Sequence, residues 1–181
     1  MRATTLAMAL AFLAASLMGC AQAGKITGPE AKLPSGEESP GFLDRASSLK
    51  TISENDAMRG VLMLATGKDE AGGFQDRVAK LREMKIVDST WDFDANRPVT
   101  RGKLAYMLYQ ALHMKGGVML MVTGPSQRYC ARELAYQGIL ASDRMTTQIS
   151  GGEFVAVIGR ADAYKQTGEV PEILRTSREG Q

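Results

Sequence analysis

The amino-acid sequence predicts a mainly α-helical fold, arranged as a pseudo-repeated helical bundle. Three segments about 50 residues apart begin alike, with an apolar residue followed by Ser53, Thr100 or Ser150. A hydroxyl there can accept a hydrogen bond from an unpaired first-turn amide, and the apolar residue can pack back on the helix. Each segment continues with apolar residues on one helical face: Ala57, Val61 and Leu64; Leu104, Leu108 and Ala111; and Phe154, Ile158 and Ala161. This pattern predicts three similar helices around a shared apolar centre.

A second type of helix precedes two of these caps, at residues 75–87 and 128–140. In each, a leucine stands five residues before an isoleucine, and Gly138 is typical of a helix end. No such helix is predicted before Ser53, so the first repeat is incomplete. The apolar run at residues 118–122 could form a short β segment or a buried connector, because periodicity does not separate the two.

Residues 1–19 are predicted to be a lipoprotein signal peptide. Arg2 is followed by an apolar run at residues 6–18, which is shorter than the roughly 20 residues of a membrane-spanning helix. The run ends in Leu17-Met18-Gly19-Cys20, which resembles the lipobox of bacterial lipoproteins, where the cysteine thiol is acylated and the leader is cut before it. An alternative is ordinary secretion, since residues 21–23 also fit a small-x-small cleavage site.

The remaining chain divides into three parts by composition. Residues 20–48 are rich in Gly, Pro and Ser and are predicted to be a lipid-anchored flexible linker. Residues 49–164 form the predicted helical domain, and residues 165–181 form a polar tail. If Cys20 is acylated, Cys130 has no intramolecular partner, and its apolar neighbours indicate a small buried thiol.

Charge and motif content argue against several classes of function. The chain has 22 Lys and Arg against 20 Asp and Glu, which is unlike the basic patch of a nucleic-acid-binding protein. One histidine and two cysteines make a zinc site improbable. The sequence has no G-x-S-x-G, P-loop or G-x-G-x-x-G motif, so we expect no enzyme and no cofactor.

The acidic run Asp92-x-Asp94-x-Asn96 resembles the start of a calcium loop. An EF-hand would need Gly and Glu at the positions that Arg97 and Lys103 occupy, so we interpret the run as a polar connection and expect no metal site.

Residues 74–112 resemble one S-layer homology module. The matching features are Phe74-x-Asp76, Ile86-Val87, Phe93, Pro98 and Val99-Thr100-Arg101. Residues 128–161 resemble a degenerate second copy, and residues 53–64 resemble the closing helix of a third. The resemblance implies a pseudo-threefold helical assembly that attaches an exported protein to the cell wall by binding peptidoglycan or a secondary wall polymer.

The resemblance also implies a set of ligand-binding residues. In the family, the Thr-Arg dipeptide at the helix start supplies a cation, and Arg offers a planar fork suited to carboxylate or phosphate. The residues that follow the three caps are Glu54, Arg101 and Gly151, so only Arg101 matches. The candidate binding residues are Arg97, Thr100, Arg101, Lys103 and Trp91.

Two of these assignments have alternatives. The basic cluster of Arg97, Arg101 and Lys103 could be an anion site or a solvated surface with local ion pairs. Trp91 could be a platform for sugar stacking or the cover of a core edge.

These observations predict a non-catalytic lipoprotein on the periplasmic face of the outer membrane, since Ala21 rather than Asp follows Cys20. Its partners would be the membrane, through acyl chains on Cys20, and peptidoglycan or another anionic wall polymer. One alternative is a protein-binding scaffold of envelope assembly without glycan contact. The other is a secreted soluble protein, an enzyme or inhibitor, cleaved after Ala23.

We expect mass spectrometry of the mature protein to show an acylated Cys20 at its N-terminus. Two or more acyl chains anchor a protein stably, so the protein should also sediment with membranes. A Cys20→Ser variant should lose both properties. An unmodified N-terminus at Gly24 would contradict lipid anchoring.

Overall fold

The computed structural model describes residues 39–116 and 122–175, which belong to one compact unit. These residues form six α-helices and a short 3-10 helix, with two isolated β-bridges, Ser53 to Pro98 and Thr100 to Gln148. The helices are α1 (Ser39–Ser47), α2 (Glu54–Thr66), α3 (Phe74–Glu83), α4 (Arg101–Ala111), α5 (Gln127–Tyr136) and α6 (Gly151–Thr167); the 3-10 helix is Glu172–Leu174. The predicted mainly α-helical fold is confirmed.

The three predicted helix caps are present. Ser53, Thr100 and Ser150 have extended backbone conformations and stand directly before α2, α4 and α6. In each case the hydroxyl accepts a hydrogen bond from the amide three residues further on, at 3.1–3.4 Å. The hydroxyl therefore satisfies a first-turn amide that the helix itself leaves unpaired.

Backbone hydrogen bonds tie the three helix starts to one another. The Ile52 amide donates to the Ile149 carbonyl at 2.9 Å, and the Val99 amide donates to the Ile52 carbonyl at 2.8 Å. The side chains of these three residues are fully buried. The residue before each cap thus contributes to a common apolar centre and to its hydrogen bonding.

Each of the three shorter α-helices packs on one of the capped helices. Helix α3 packs on α2, α5 packs on α4, and α1 packs on α6. Helix α2 also contacts α4 and α6. Helix α1 is therefore the helix that the sequence did not predict before Ser53, and it packs mainly on α6, at the third cap.

The predicted flexible linker at residues 20–48 is wrong for its last part. Residues 39–47 are helical, and Phe42 and Ala46, one turn apart, are completely buried. The Pro40-Gly41 pair made this stretch resemble a linker, but proline is tolerated in the first turn of a helix. The helical domain thus includes Ser39–Ser47 instead of beginning at residue 49. Residues 1–38, with the predicted signal peptide and Cys20, lie outside the described residues.

The C-terminal boundary also differs from the prediction. Helix α6 continues to Thr167, and Val170 beyond it is buried, so the domain extends past residue 164. Lys165 donates from Nζ to the carbonyls of Leu64 (2.6 Å) and Ala65 (3.1 Å), which satisfies the C-terminal end of α2. Apart from Val122, the predicted β segment at 118–122 lies outside the described residues.

A buried polar network joins α1, α2 and α3. Arg77 donates from Nε to Asp69 at 2.8 Å and from Nη1 to Asn55 at 2.9 Å. Arg59 lies 3.4 Å from the same Asp69 carboxylate, with its guanidinium 4.5 Å from the centre of the Phe42 ring. Burial lowers the pKa of Arg59, and the charge of Asp69 opposes that shift. Pairing and hydrogen bonding are what allow these charges to be buried.

No helix among residues 39–116 and 122–175 is long and apolar enough to cross a membrane.

Cys130 is a buried free thiol, as predicted, and burial raises its pKa to about 12. A thiol protonated at every physiological pH is a poor nucleophile.

We expect Gly151→Ala to lower the free energy of unfolding by about 2–3 kcal/mol, because a Cβ at this position would overlap the Ala46 carbonyl of α1. Gly152→Ala is the matched control, since its Cβ would lie 3.9 Å from the Ser47 carbonyl, an ordinary contact. Alanine favours a helix over glycine by up to about 1 kcal/mol, so the control should be neutral or stabilising. Urea denaturation measures both, and equal stability of the two variants would contradict the close approach of α1 to α6.

Candidate functional site

The residues of the predicted basic cluster do not all face the same part of the protein. Arg101 faces α6 and the connection at residues 141–147, whereas Lys103 faces α2 and the connection at residues 88–98. Thr100 between these contacts serves as the N-cap of α4. The five predicted binding residues therefore do not form a single site.

Arg101 is almost completely buried, with 5% of its side chain exposed. Its Nη2 atom lies 2.5 Å from Glu153 and 3.6 Å from Asp143, and Nη1 donates to the Ala141 carbonyl at 3.1 Å. Its Nε has no hydrogen-bond partner among the described residues. The guanidinium fork is thus directed at protein acceptors and joins α4 to α6.

Arg97 and Lys103 converge on Glu54, the residue that follows the first cap. The Glu54 carboxylate is 2% exposed and accepts from Arg97 Nε (2.9 Å), Arg97 Nη2 (3.1 Å), Lys103 Nζ (2.6 Å) and the Asp94 amide (2.9 Å). Hydrogen bonding to Glu54 raises the pKa of Arg97. The Glu54 carboxylate therefore pairs with the two cations for which the sequence predicts an external anionic ligand. Arg97 and Lys103 thus form local ion pairs, which is one of the two alternatives that the sequence left open for the basic cluster.

Trp91 lies in the connection between α3 and α4, against two other aromatic rings. Its ring centre is 5.0 Å from that of Tyr106 on α4 and 6.0 Å from that of Phe93. Phe93 and Tyr106 pack on the core, and Trp91 itself is only partly buried. We call these three residues the aromatic shelf. The shelf covers a core edge and also leaves part of its outermost ring at the surface.

A cavity of about 310 Å³ lies beside α5, on the Arg101 side of α4. The residues that line it belong to α5 and to the connection after it: Ala131, Arg132, Ala135, Tyr136, Ala141, Ser142, Asp143 and Met145. Two of them, Ala141 and Asp143, are also the residues that Arg101 contacts. Arg101 therefore holds one wall of the cavity in place without lining it.

The cavity offers a mixed set of recognition groups. Arg132 is exposed and forms no ion pair with a described residue, Tyr136 is 76% exposed, and Ser142 adds a hydroxyl. Ligand pockets commonly start near 300 Å³ and combine apolar walls with a few polar groups. A guanidinium, an aromatic ring and a hydroxyl suit a sugar-like ligand that bears a carboxylate or phosphate.

The sequence analysis did not select Arg132 or Tyr136. They stand four residues apart, on the polar face of an amphipathic helix, where exposed charges are ordinary. The only available signal was an aromatic residue on that polar face. Among the residues with described positions, no group of three or more His, Cys, Asp or Glu side chains could hold a metal ion.

A comparison with protein-family models, curated proteins and solved structures finds no match to this chain. The resemblance to S-layer homology modules therefore stays a prediction from the residues that carry it. What the structure adds is the helical fold, the three caps and the cavity.

We expect Arg101→Ala to lower the free energy of unfolding by about 1–3 kcal/mol, because it leaves the partly buried Glu153 without its partner. Arg144→Ala is the control: this arginine is exposed in the same connection and should change stability by less than about 0.5 kcal/mol. Thermal unfolding followed by circular dichroism measures both variants. If Arg101→Ala were as stable as the wild-type protein, its assignment as a residue that joins helices would be wrong.

Proposed function

We propose that this chain is a non-catalytic, lipid-anchored protein of the cell envelope whose helical domain binds peptidoglycan or another anionic wall polymer. The acyl chains on Cys20 would hold one end at the periplasmic face of the outer membrane. The domain would bind the wall through the cavity beside α5. The observation that carries the proposal is this cavity, with Arg132 at its edge.

Charge supports Arg132 as the residue that meets the ligand. Arg97 and Lys103 are bound to Glu54, and Arg101 is bound to Glu153 and Asp143. Arg132 is instead exposed and lines the cavity. A guanidinium in this position can form two parallel hydrogen bonds with a carboxylate or phosphate oxygen pair.

The surroundings of Arg132 favour a sugar bearing an acidic group over a bare anion. Tyr136, one turn along α5, presents its ring to solvent, and rings of this kind stack against sugars through their apolar faces. Asp143, which also lines the cavity, can accept hydrogen bonds from ligand hydroxyls while it remains near Arg101. Wall polymers combine hydroxyls with carboxylates or phosphates, which this set of groups matches.

The same geometry gives Arg101 a different role from the one implied by the family resemblance. Arg101 contacts Ala141 and Asp143, and through them it positions the cavity wall. We therefore propose that Arg101 acts on binding only through the shape of the domain. The direct contact is assigned to Arg132.

We expect the full mature protein in detergent to co-sediment with purified wall sacculi, and Arg132→Ala to weaken that binding about tenfold or more. A hydrogen bond to a charged group contributes about 1.5–3 kcal/mol, which corresponds to at least a tenfold change in Kd. The matched control is Arg128→Ala, one turn earlier on α5, which is exposed and does not line the cavity. Binding curves for the three proteins measure the effect.

Equal loss of binding in both variants would indicate a diffuse electrostatic attraction and would contradict the cavity. Absence of sacculus binding by the wild-type protein would contradict wall attachment and favour a protein-binding scaffold.

A further inference from the structure

We infer that the aromatic shelf of Trp91, Phe93 and Tyr106 is a second recognition site, which takes the face of an uncharged sugar ring. The inference rests on the proposed function for the source of that sugar, the glycan chain of the wall, but not for the binding itself. Lys103, which borders the shelf, is two residues from Arg101, which borders the cavity, on the first turn of α4. The polymer could then be held at two places on the domain.

The backbone around Trp91 is fixed before any ligand binds. The Trp91 amide donates to the Asp88 carbonyl at 3.3 Å, and the Trp91 carbonyl accepts from Arg82 Nη2 at 3.0 Å. The next carbonyl, of Asp92, accepts from Arg97 Nη2 at 2.5 Å, and Arg97 is itself held by Glu54. A side chain that is already positioned loses little freedom when a ligand binds.

The Trp91 ring is packed against two neighbouring aromatic rings. The Trp91 and Tyr106 planes are inclined by 54° and the Trp91 and Phe93 planes by 65°, both tilted or edge contacts that aromatic pairs favour. Phe93 and Tyr106 continue this contact into the core, whereas Trp91 stays partly exposed. The arrangement gives a rigid, partly open apolar surface.

The charges around the shelf favour neither a cationic nor an anionic ligand. Lys103 Nζ already lies 5.8 Å from the centre of the Trp91 ring and 5.1 Å from that of Phe93, so a second cation over these rings would be repelled. The Asp92 side chain is 92% exposed, and Asp88 is close by in sequence. Two hydrogen bonds from Thr90 lower the pKa of Asp88, which keeps this carboxylate ionised.

Two cations also border the shelf, but Lys103 is paired with Glu54, and Arg82, 6.0 Å from the centre of the Phe93 ring, donates to the Trp91 carbonyl. The two aspartate carboxylates disfavour an anion and accept hydrogen bonds from hydroxyl groups. An uncharged ring avoids repulsion from either kind of charge. Its apolar face can pack on the shelf, and its hydroxyl groups can donate hydrogen bonds to the carboxylates. The shelf thus differs in chemistry from the cavity, where Arg132 selects an acidic group.

Trp91 is the only tryptophan of the chain, so its fluorescence reports on this site alone. We expect a neutral β-1,4-linked oligomer of N-acetylglucosamine, added to the full mature protein up to about 10 mM, to change the tryptophan emission in a saturable way. The Arg132→Ala variant should give the same response, because its substitution affects only the cavity. Glucuronic acid, which carries a carboxylate, should bind more weakly than glucose, a neutral sugar of the same size.

Binding measured from the ligand's own magnetic resonance signals should be about tenfold weaker in Trp91→Ala, a factor that corresponds to roughly 1.4 kcal/mol. The conservative Trp91→Phe variant should retain part of the affinity, and thermal unfolding checks that both variants fold. No emission change in the wild-type protein, or equal sugar affinity in Trp91→Ala, would overturn the inference. A normal sugar response in a protein that does not bind sacculi would support the shelf while the proposed wall attachment fails.

Discussion

The hydrogen bonds among Ile52, Val99 and Ile149 are the constraint on which the rest of the structure depends. They bring three helix starts to one apolar centre, so that the residue after each cap is directed at a neighbouring element. The three residues in that place are an acid, a cation and a glycine. Each joins the domain in its own way: Glu54 gathers two cations, Arg101 reaches α6, and Gly151 admits the backbone of α1. The apolar centre therefore sets the positions of these three residues, and the side chain at each position determines which neighbour it contacts.

The parts of the fold that depend on local patterns were predictable from the sequence. A hydroxyl followed by an apolar face at helical spacing identified α2, α4 and α6, because caps and amphipathicity are properties of neighbouring residues. Helix α1 was missed because Phe42, Leu43 and Ala46 are its only large or medium apolar residues between a Pro-Gly pair and a polar turn. Its stability comes from packing on α6, which stands more than a hundred residues later in the chain, and no local pattern encodes that contact.

The candidate site was less predictable for a similar reason. The sequence indicates that Arg97, Arg101 and Lys103 are clustered, yet it cannot tell whether their partners are external or internal. Glu153 is 52 positions from Arg101, and Glu54 is more than 40 from Arg97, so the pairings exist only after folding. Burial then favours internal partners, since a charge removed from water must be paired within the protein. In the sequence, Arg132 resembles any solvated residue. The structure shows that the connection after α5 lines a cavity together with it.

The contact of α1 with α6 also sets the order in which the domain can be completed. Helix α1 packs less extensively on α2 than on α6, so the burial of Phe42 and Ala46 is complete only after the last long helix has been synthesised. Closing so long a loop carries an entropic cost, and contacts between residues far apart in sequence slow folding. Because α1 and α6 lie more than a hundred residues apart, their contact can form only after the intervening helices have been synthesised.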